Sequence, residues 1–237
     1  MNRIFVCGDT HGTLDAKKIE RLCKDKILDY KDYIIICGDA GIVWSDDVTE
    51  NHITFYEKLN TNILFIDGNH ENFDKLKRYP MEMWNGGLTH KISTHIHFLL
   101  RGQIFDIMGR KILTIGGADS HDRKDRINHV SWWWEESISD YHIELALQNL
   151  TKVNNRVDYI ITHTPCEYFA NELYQLFTQC GEQFPPYLQK KMDCNQSGIK
   201  LNQIADVASY KKWFCGHWHI DEQIDNFVVL YNSIIEI

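Results

Sequence analysis

Five short motifs hold the residues of this chain whose types can do chemistry: GDTHG at 8–12, GDAG at 38–41, DGNHE at 67–71, THTP at 162–165 and GHWH at 216–219. From them Asp9, His11, Asp39, Asn69, His163, His217 and His219 offer carboxylate and amide oxygens and imidazoles, with no thiolate. That mix suits borderline divalent ions such as Mn, Fe(II), Zn, Co or Ni. So many protein ligands exceed what one catalytic metal with an open position takes. They are about right for two metals sharing one carboxylate, as in hydrolases that set two ions ~3.5–4 Å apart across an in-line displacement. Asn69 is a neutral oxygen donor and adds no charge, which keeps the site attractive to an anionic substrate. A lone Asp or His at a strand end is often only a turn former or cap. Five motifs of complementary ligand chemistry make coincidence a poor explanation.

Each motif follows an apolar, β-branched run. Runs at 4–7, 33–37, 63–67, 111–116, 159–162, 212–215 and 227–231 read as buried strands. Helical patterns lie between them at 14–28, 49–59, 139–153 and 201–209. Strand–helix–strand alternation at the N-terminal end implies parallel βαβ units. Beyond residue 95 the strands come closer together, which suggests antiparallel additions. In an open α/β sheet ligands bind beyond the carboxyl ends of the strands, so motifs at five strand ends can converge. Two stretches read as insertions that form a rim or lid: 119–136, polar with a Trp triplet, and 165–198, which holds three of the four prolines.

The chain has 237 residues, which fits a single domain with insertions. Lys and Arg number 25 against 33 Asp and Glu, a net charge of −8. Proteins that bind nucleic acid through bulk charge are usually basic, so a nucleic-acid partner is disfavoured, a local patch aside. Bound cations would offset a cluster of acidic ligands. No apolar run approaches the ~18 residues that span a bilayer, so no membrane partner is expected. The opening residues leave no room for a secretion signal, because polar motif residues begin at Gly8. The seven cysteines form no C-x-x-C pair, and Cys7, Cys37 and Cys215 read as small buried thiols at strand ends. This is reduced usage, and a cytoplasmic location is expected. Oligomeric state is left open.

Taken together, GDTHG, GDAG, GNHE, the TH after a strand and GHWH resemble the calcineurin-like metallophosphoesterase superfamily, in its order, from residue 8 to residue 219. The resemblance implies a four-layer α/β/β/α sandwich of two mixed sheets flanked by helices, with a dinuclear metal site at the strand ends. It implies Asp9, His11, Asp39 and His219 around one metal, and Asp39, Asn69, His163 and His217 around the other, with Asp39 bridging. Mn is the first expectation for the two ions, with Fe, Zn, Ni, Co and Mg as alternatives. The reaction implied is hydrolysis of a small phosphorylated substrate, a phosphomonoester or phosphodiester, nucleotides included. A hydroxide held between the ions would attack in line, its parent water having a pKa lowered from ~15.7 towards ~7. The metals would neutralise charge on the equatorial oxygens. His70 would stay unligated and protonate the leaving oxygen.

The sequence departs from the family pattern at one place. The second motif usually runs GD-x-x-D, and its last Asp orients the catalytic histidine; here that position is Ile42. Asp46, Asp47 or Glu71 is the expected substitute, or His70 is less effective. The Asp-Arg-Gly of the protein phosphatase branch is absent, which weakens that reading. In the segment 116–126, Arg123 and Arg126 carry planar forks suited to phosphate and are expected to contact it. Trp132, Trp133 and Trp134 are expected to anchor the insertion or a subunit contact rather than to stack a base. Glu135 and Glu136 are expected at the surface, and the remaining histidines as surface or structural residues. A rival of another class is a protein-interaction scaffold on the same fold, with structural or vestigial metals.

Overall fold

The computed structural model describes residues 2–237. The chain runs β1 (Ile4–Cys7), α1 (Lys17–Lys26), β2 (Tyr33–Ile36), α2 (Asp46–Glu57), β3 (Asn62–Phe65), α3 (Phe73–Leu76), β4 (Met81–Trp84), β5 (Gly87–Lys91), β6 (Ile96–Leu99), β7 (Gln103–Ile107) and β8 (Arg110–Ile115). It continues through α4 (Asp140–Lys152), β9 (Tyr159–Thr162), α5 (Glu167–Gln179), α6 (Pro186–Cys194), α7 (Gln196–Ala205), β10 (Lys212–Cys215), β11 (Glu222–Ile224), β12 (Phe227–Val229) and β13 (Ile234–Glu236). One sheet has the order β13-β1-β2-β3-β6-β5-β4, the other β11-β12-β10-β9-β8-β7. In the first, β1, β2, β3 and β6 are parallel. In the second, β8, β9, β10 and β12 are parallel.

The two-residue period of a strand decides the layers. In β1, Ile4 and Val6 join Ile35, Leu64, Phe105, Ile112, Ile161 and Phe214 between the sheets. Phe5 and Cys7 face the other way, with Ile34, Ile36, Ile63 and Phe65, and meet Ile19 of α1 and Tyr56 of α2. On the far side, Leu113, Ile160 and Trp213 pack on Ile143 of α4, Phe169 of α5 and Leu201 of α7. The architecture is therefore α/β/β/α. Strands covered on both faces read as continuous apolar runs, as β1 and β2 do.

Antiparallel additions begin before residue 95, with β4 and β5. The residues of β4 are exposed or half-buried, so no apolar run marks it. Helix α2 starts three residues before the expected Thr49, with Ser45 as its first cap position. Helix α7 starts five before Leu201, because the Asn195 side chain accepts from Gly198 N–H. The 165–198 stretch is helical, and α5 supplies Phe169, Ala170 and Leu173 to the core.

One buried ion pair ties the end of the 119–136 stretch to the sheets. Arg101 and Asp67 are 7% and 1% exposed. Arg101 Nε donates to Asp67 Oδ2 at 2.8 Å, and its terminal nitrogens donate to the carbonyl oxygens of Ser137 at 2.9 Å and Glu135 at 2.6 Å. Removing one partner of such a pair leaves an unpaired buried charge. Arg101→Met should cost about 3–5 kcal/mol in urea denaturation. Asp67→Asn in the same chain should recover part of that loss.

His142 of α4 sits beside this pair, and burial and the Arg101 charge together lower its pKa to about 4. The folded ring is thus neutral at pH values where an unfolded one, near 6.5, gains a proton. Its contribution is present above pH 6.5 and is lost as pH falls from there towards 4. His142→Gln should lose less stability than the parent between pH 7 and pH 4.5, measured by denaturant titration at each pH.

Candidate metal centre

The motif loops leave β1, β2 and β3 in one sheet and β9 and β10 in the other, all at carboxyl ends, and meet where the two sheets adjoin. Asp9, His11 and His219 offer ligand atoms within 4.8 Å of one another, and so do Asp39, His163 and His217. Asp39 stands between the groups. Its Oδ2 is 3.4 Å from His11 Nε2, and its Oδ1 is 3.3 Å from His163 Nε2. Asn69 Oδ1 is 3.2 Å from the same His163 nitrogen. The seven residues singled out in the sequence are thereby brought together.

Close backbone packing makes room for them. A Cβ on Gly68 would fall 2.1 Å from Asp39 Oδ1, and one on Gly216 would fall 2.2 Å from Asp9 Oδ1. His11, Asp39, His217 and His219 all have φ between 43° and 64°. Left-handed backbone at non-glycine residues costs on the order of 1–3 kcal/mol each and persists only where surrounding structure imposes it. Here hydrogen bonds impose it. His70 N–H donates to Asp39 Oδ1 at 2.7 Å, and His217 N–H donates to Asp9 Oδ1 at 2.9 Å.

The ring nitrogens are also sorted. His163 Nδ1 donates to the Cys37 carbonyl oxygen at 2.7 Å, and His11 Nδ1 lies 2.7 Å from Asp15 Oδ2. Each leaves Nε2 facing Asp39, the arrangement in which a second partner fixes a ligand's tautomer. Burial opposes ionisation of Asp39, but His163, His70 and His11 outweigh it and hold the carboxyl well below its ordinary range. Burial likewise opposes a charged His11, yet Asp39, Asp9 and Asp15 hold it up at about 9. Burial, with Lys191 and His163 nearby, holds His217 well below its ordinary value.

This donor set fits divalent cations on two further grounds. His217 Nδ1 is buried with no hydrogen-bond partner. Asp9 Oδ2 lies 2.9 Å from His219 Nε2 but is not aligned for a hydrogen bond, and it too is unpartnered. Buried polar atoms rarely go unpaired unless an ion or water completes them.

His70 borders the two groups, its ring centroid 5.8 Å from that of His11. None of the expected carboxylates orients it. Asp46 pairs with Lys75, and Glu71 Oε1 accepts from Ala40 N–H at 2.8 Å. Ile42 is wholly buried in the apolar layer under α1 and α2 and offers His70 no polar group. The neighbour of His70 is Arg126, whose terminal nitrogens lie 3.2 and 3.4 Å from the two ring nitrogens. Arg126 is itself held by Asp122 at 2.9 Å. Burial and the Arg126 charge lower the His70 pKa, against the pull of Asp39. Arg123 is exposed on a short turn, and among the described residues its side chain makes no hydrogen bond or ion pair, so the two arginines part company.

Glu136 is a correction. It is fully buried, not at the surface. Its Oε2 accepts from Ser120 Oγ at 2.5 Å, and Ser120 Oγ accepts from Asn69 Nδ2 at 3.1 Å. That chain turns the Asn69 oxygen towards His163. Trp133 is buried and its Nε1 donates to Asp74 at 2.8 Å, so it anchors the insertion; Trp134 is 68% exposed. Lys191 of α6 reaches the His217 carbonyl oxygen. No spacing in the sequence pointed to Ser120, Glu136 or Lys191, because their partners lie 16 to 51 residues away.

The fold thus gathers one cluster of metal-ligand side chains at its strand ends. The sequence profile of the calcineurin-like phosphoesterase family matches residues 2–221, and the chain belongs to that family. Membership implies a metal-dependent hydrolase acting on phosphoesters. No curated protein matches the chain. A crystal structure 11% identical superposes with a TM-score of 0.55, covering 97% of this chain and 89% of its own, a likeness of fold. Among the described residues no helix is long and apolar enough to cross a membrane.

Proposed function

We propose that the protein hydrolyses a small phosphomonoester or phosphodiester at a dinuclear divalent centre, with manganese the first metal to test. The observation that carries this reading is Asp39, with one carboxylate oxygen towards each of two His-rich groups. Asp9, His11 and His219 would hold one ion and His163, His217 and Asn69 the other, with Asp39 common to both. When bound, two such ions lower the pKa of a water towards ~7 and neutralise charge on phosphoryl oxygens. The chain's own residues do the rest. Arg126 offers N–H groups to a phosphoryl oxygen beside the centre. His70 faces the same place and hands a proton to the leaving oxygen. With Arg126 alongside, His70 holds that proton weakly until an anionic ester offsets the arginine charge. Lys191 adds a cation from α6 close to Asp9 and Asp39.

Nitrophenyl phosphate and bis-nitrophenyl phosphate turnover, after metal stripping and Mn²⁺ add-back, tests the reading. Turnover should require the metal and should vanish in Asp39→Asn. His70→Ala should lower kcat by about 10²–10⁴-fold while two equivalents of metal are retained. No turnover of either ester with two metals bound would favour a scaffold role. Ser120→Ala frees the Asn69 amide to rotate. It should weaken one of two Mn²⁺ equivalents by about 10–100-fold in calorimetric titration, leaving the other in place.

A further inference from the structure

Beside His11 and His70 lies a cavity of about 380 Å³, bordered further by Leu14, Gly41, Trp44 and His52. Its size falls within the range of small-molecule sites. No Asp, Glu, Lys or Arg lines it. Leu14 is 79% exposed on its rim, a large apolar side chain without cover. Trp44 is half-buried and its ring is fixed from behind. Trp133, 1% exposed, meets it edge-on with centroids 5.8 Å apart, and Asp74 holds Trp133 through its indole N–H. This wall is thus an aromatic surface packed against a buried, hydrogen-bonded tryptophan.

His52 forms part of the lining with a defined polarity. Its Nδ1 donates to the Gly41 carbonyl oxygen at 2.9 Å, which makes Nε2 an acceptor in the neutral ring. The ring lies against Gly12, where φ is +70° and a Cβ would come 2.4 Å from His52 Cε1. The ends of the first two motifs therefore share one wedge, and the cavity adjoins the metal centre by construction.

We propose that this cavity receives the leaving group of the ester, and that the group is planar, aromatic and uncharged. The inference rests on the phosphoesterase reading, since His70 borders the cavity and would protonate the oxygen of whatever lies there. A bare sugar or a small aliphatic group would cover Leu14 and Trp44 poorly. An aryl ring or a nucleobase would cover both, and a ring donor would meet His52 Nε2. Stacking on one aromatic side chain is of the order that favours a ligand several-fold to a hundredfold.

The test is calorimetric binding to the Mn²⁺-loaded protein of phenylphosphonate, ethylphosphonate and the 5′-phosphonate analogue of adenosine monophosphate, none of which can be hydrolysed. Phenylphosphonate or the adenosine compound should bind about tenfold or more tightly than ethylphosphonate. Whichever of the two shows the larger preference identifies a simple aryl or a nucleoside leaving group. Trp44→Ala and, independently, the surface change Leu14→Ala should each shrink the preference, and Trp44→Phe should keep part of it. Equal affinity for all three phosphonates would overturn the proposal, as would a preference that survives both alanine changes. An aromatic preference without turnover of phenyl phosphate, its diester or adenosine monophosphate would leave the cavity standing and remove the phosphoesterase reading instead.

Discussion

Asp9 and Asp39 are two carboxylates buried beside one another, and much of the molecule serves to keep both ionised. Each opposes the other, and burial opposes both. Like charges out of water raise one another's pKa unless cations intervene. Here imidazoles intervene: His219 and His163 for Asp9, His163, His70 and His11 for Asp39. The left-handed backbone at four of the residues, and the glycines that give way to the carboxylates, follow from the same requirement. Strain of that size is sustained only by a large core, and the three apolar layers on either side of and between the sheets supply it. The site is costly as protein alone, and divalent cations are the groups that would relieve it.

The stretch between β8 and α4 enters this scheme at three points. Ser120 and Glu136 turn the Asn69 amide, Arg126 lies against His70, and Trp133 fixes Trp44. All three act from one segment, and Arg101 clamps the end of that segment to Asp67. Asp67 begins the DGNHE motif, so its carboxylate and Asn69 two residues on are tied to the same insertion by separate bonds. This segment is part of the site rather than a cover over it.

How much of this was legible in the sequence follows from range. The seven ligand-type residues stand out because each sits one to four positions past an apolar run, and that relation is local. Buried parallel strands were equally plain, since both faces are covered and no alternation dilutes the signal. Edge strands were not: β4 reads Met-Glu-Met-Trp with half its side chains exposed, and β11 and β13 are three residues long. Glu136 follows three tryptophans and another glutamate, a context that suggests the surface; only Ser120 brings it inside. Arg123 and Arg126 cannot be told apart by composition. The turn of the chain places Arg126 against His70 and leaves its neighbour exposed.

The change at Ile42 shows how one local substitution reorganises a site's electrostatics. In the family pattern an aspartate at this position orients the catalytic histidine, and a carboxylate beside a histidine favours its charged form. Ile42 packs in the core instead, and the neighbour of His70 is a guanidinium, which favours the neutral form. Burial and the guanidinium both act against a proton on His70, with Asp39 opposing them. On the proposed reading the missing negative charge comes from the ester, whose phosphoryl oxygens meet Arg126 and relieve its effect on the histidine. Binding and proton donation are then coupled through one arginine. On that reading an anionic ester favours the proton on His70, and a neutral molecule in the cavity beside it would not.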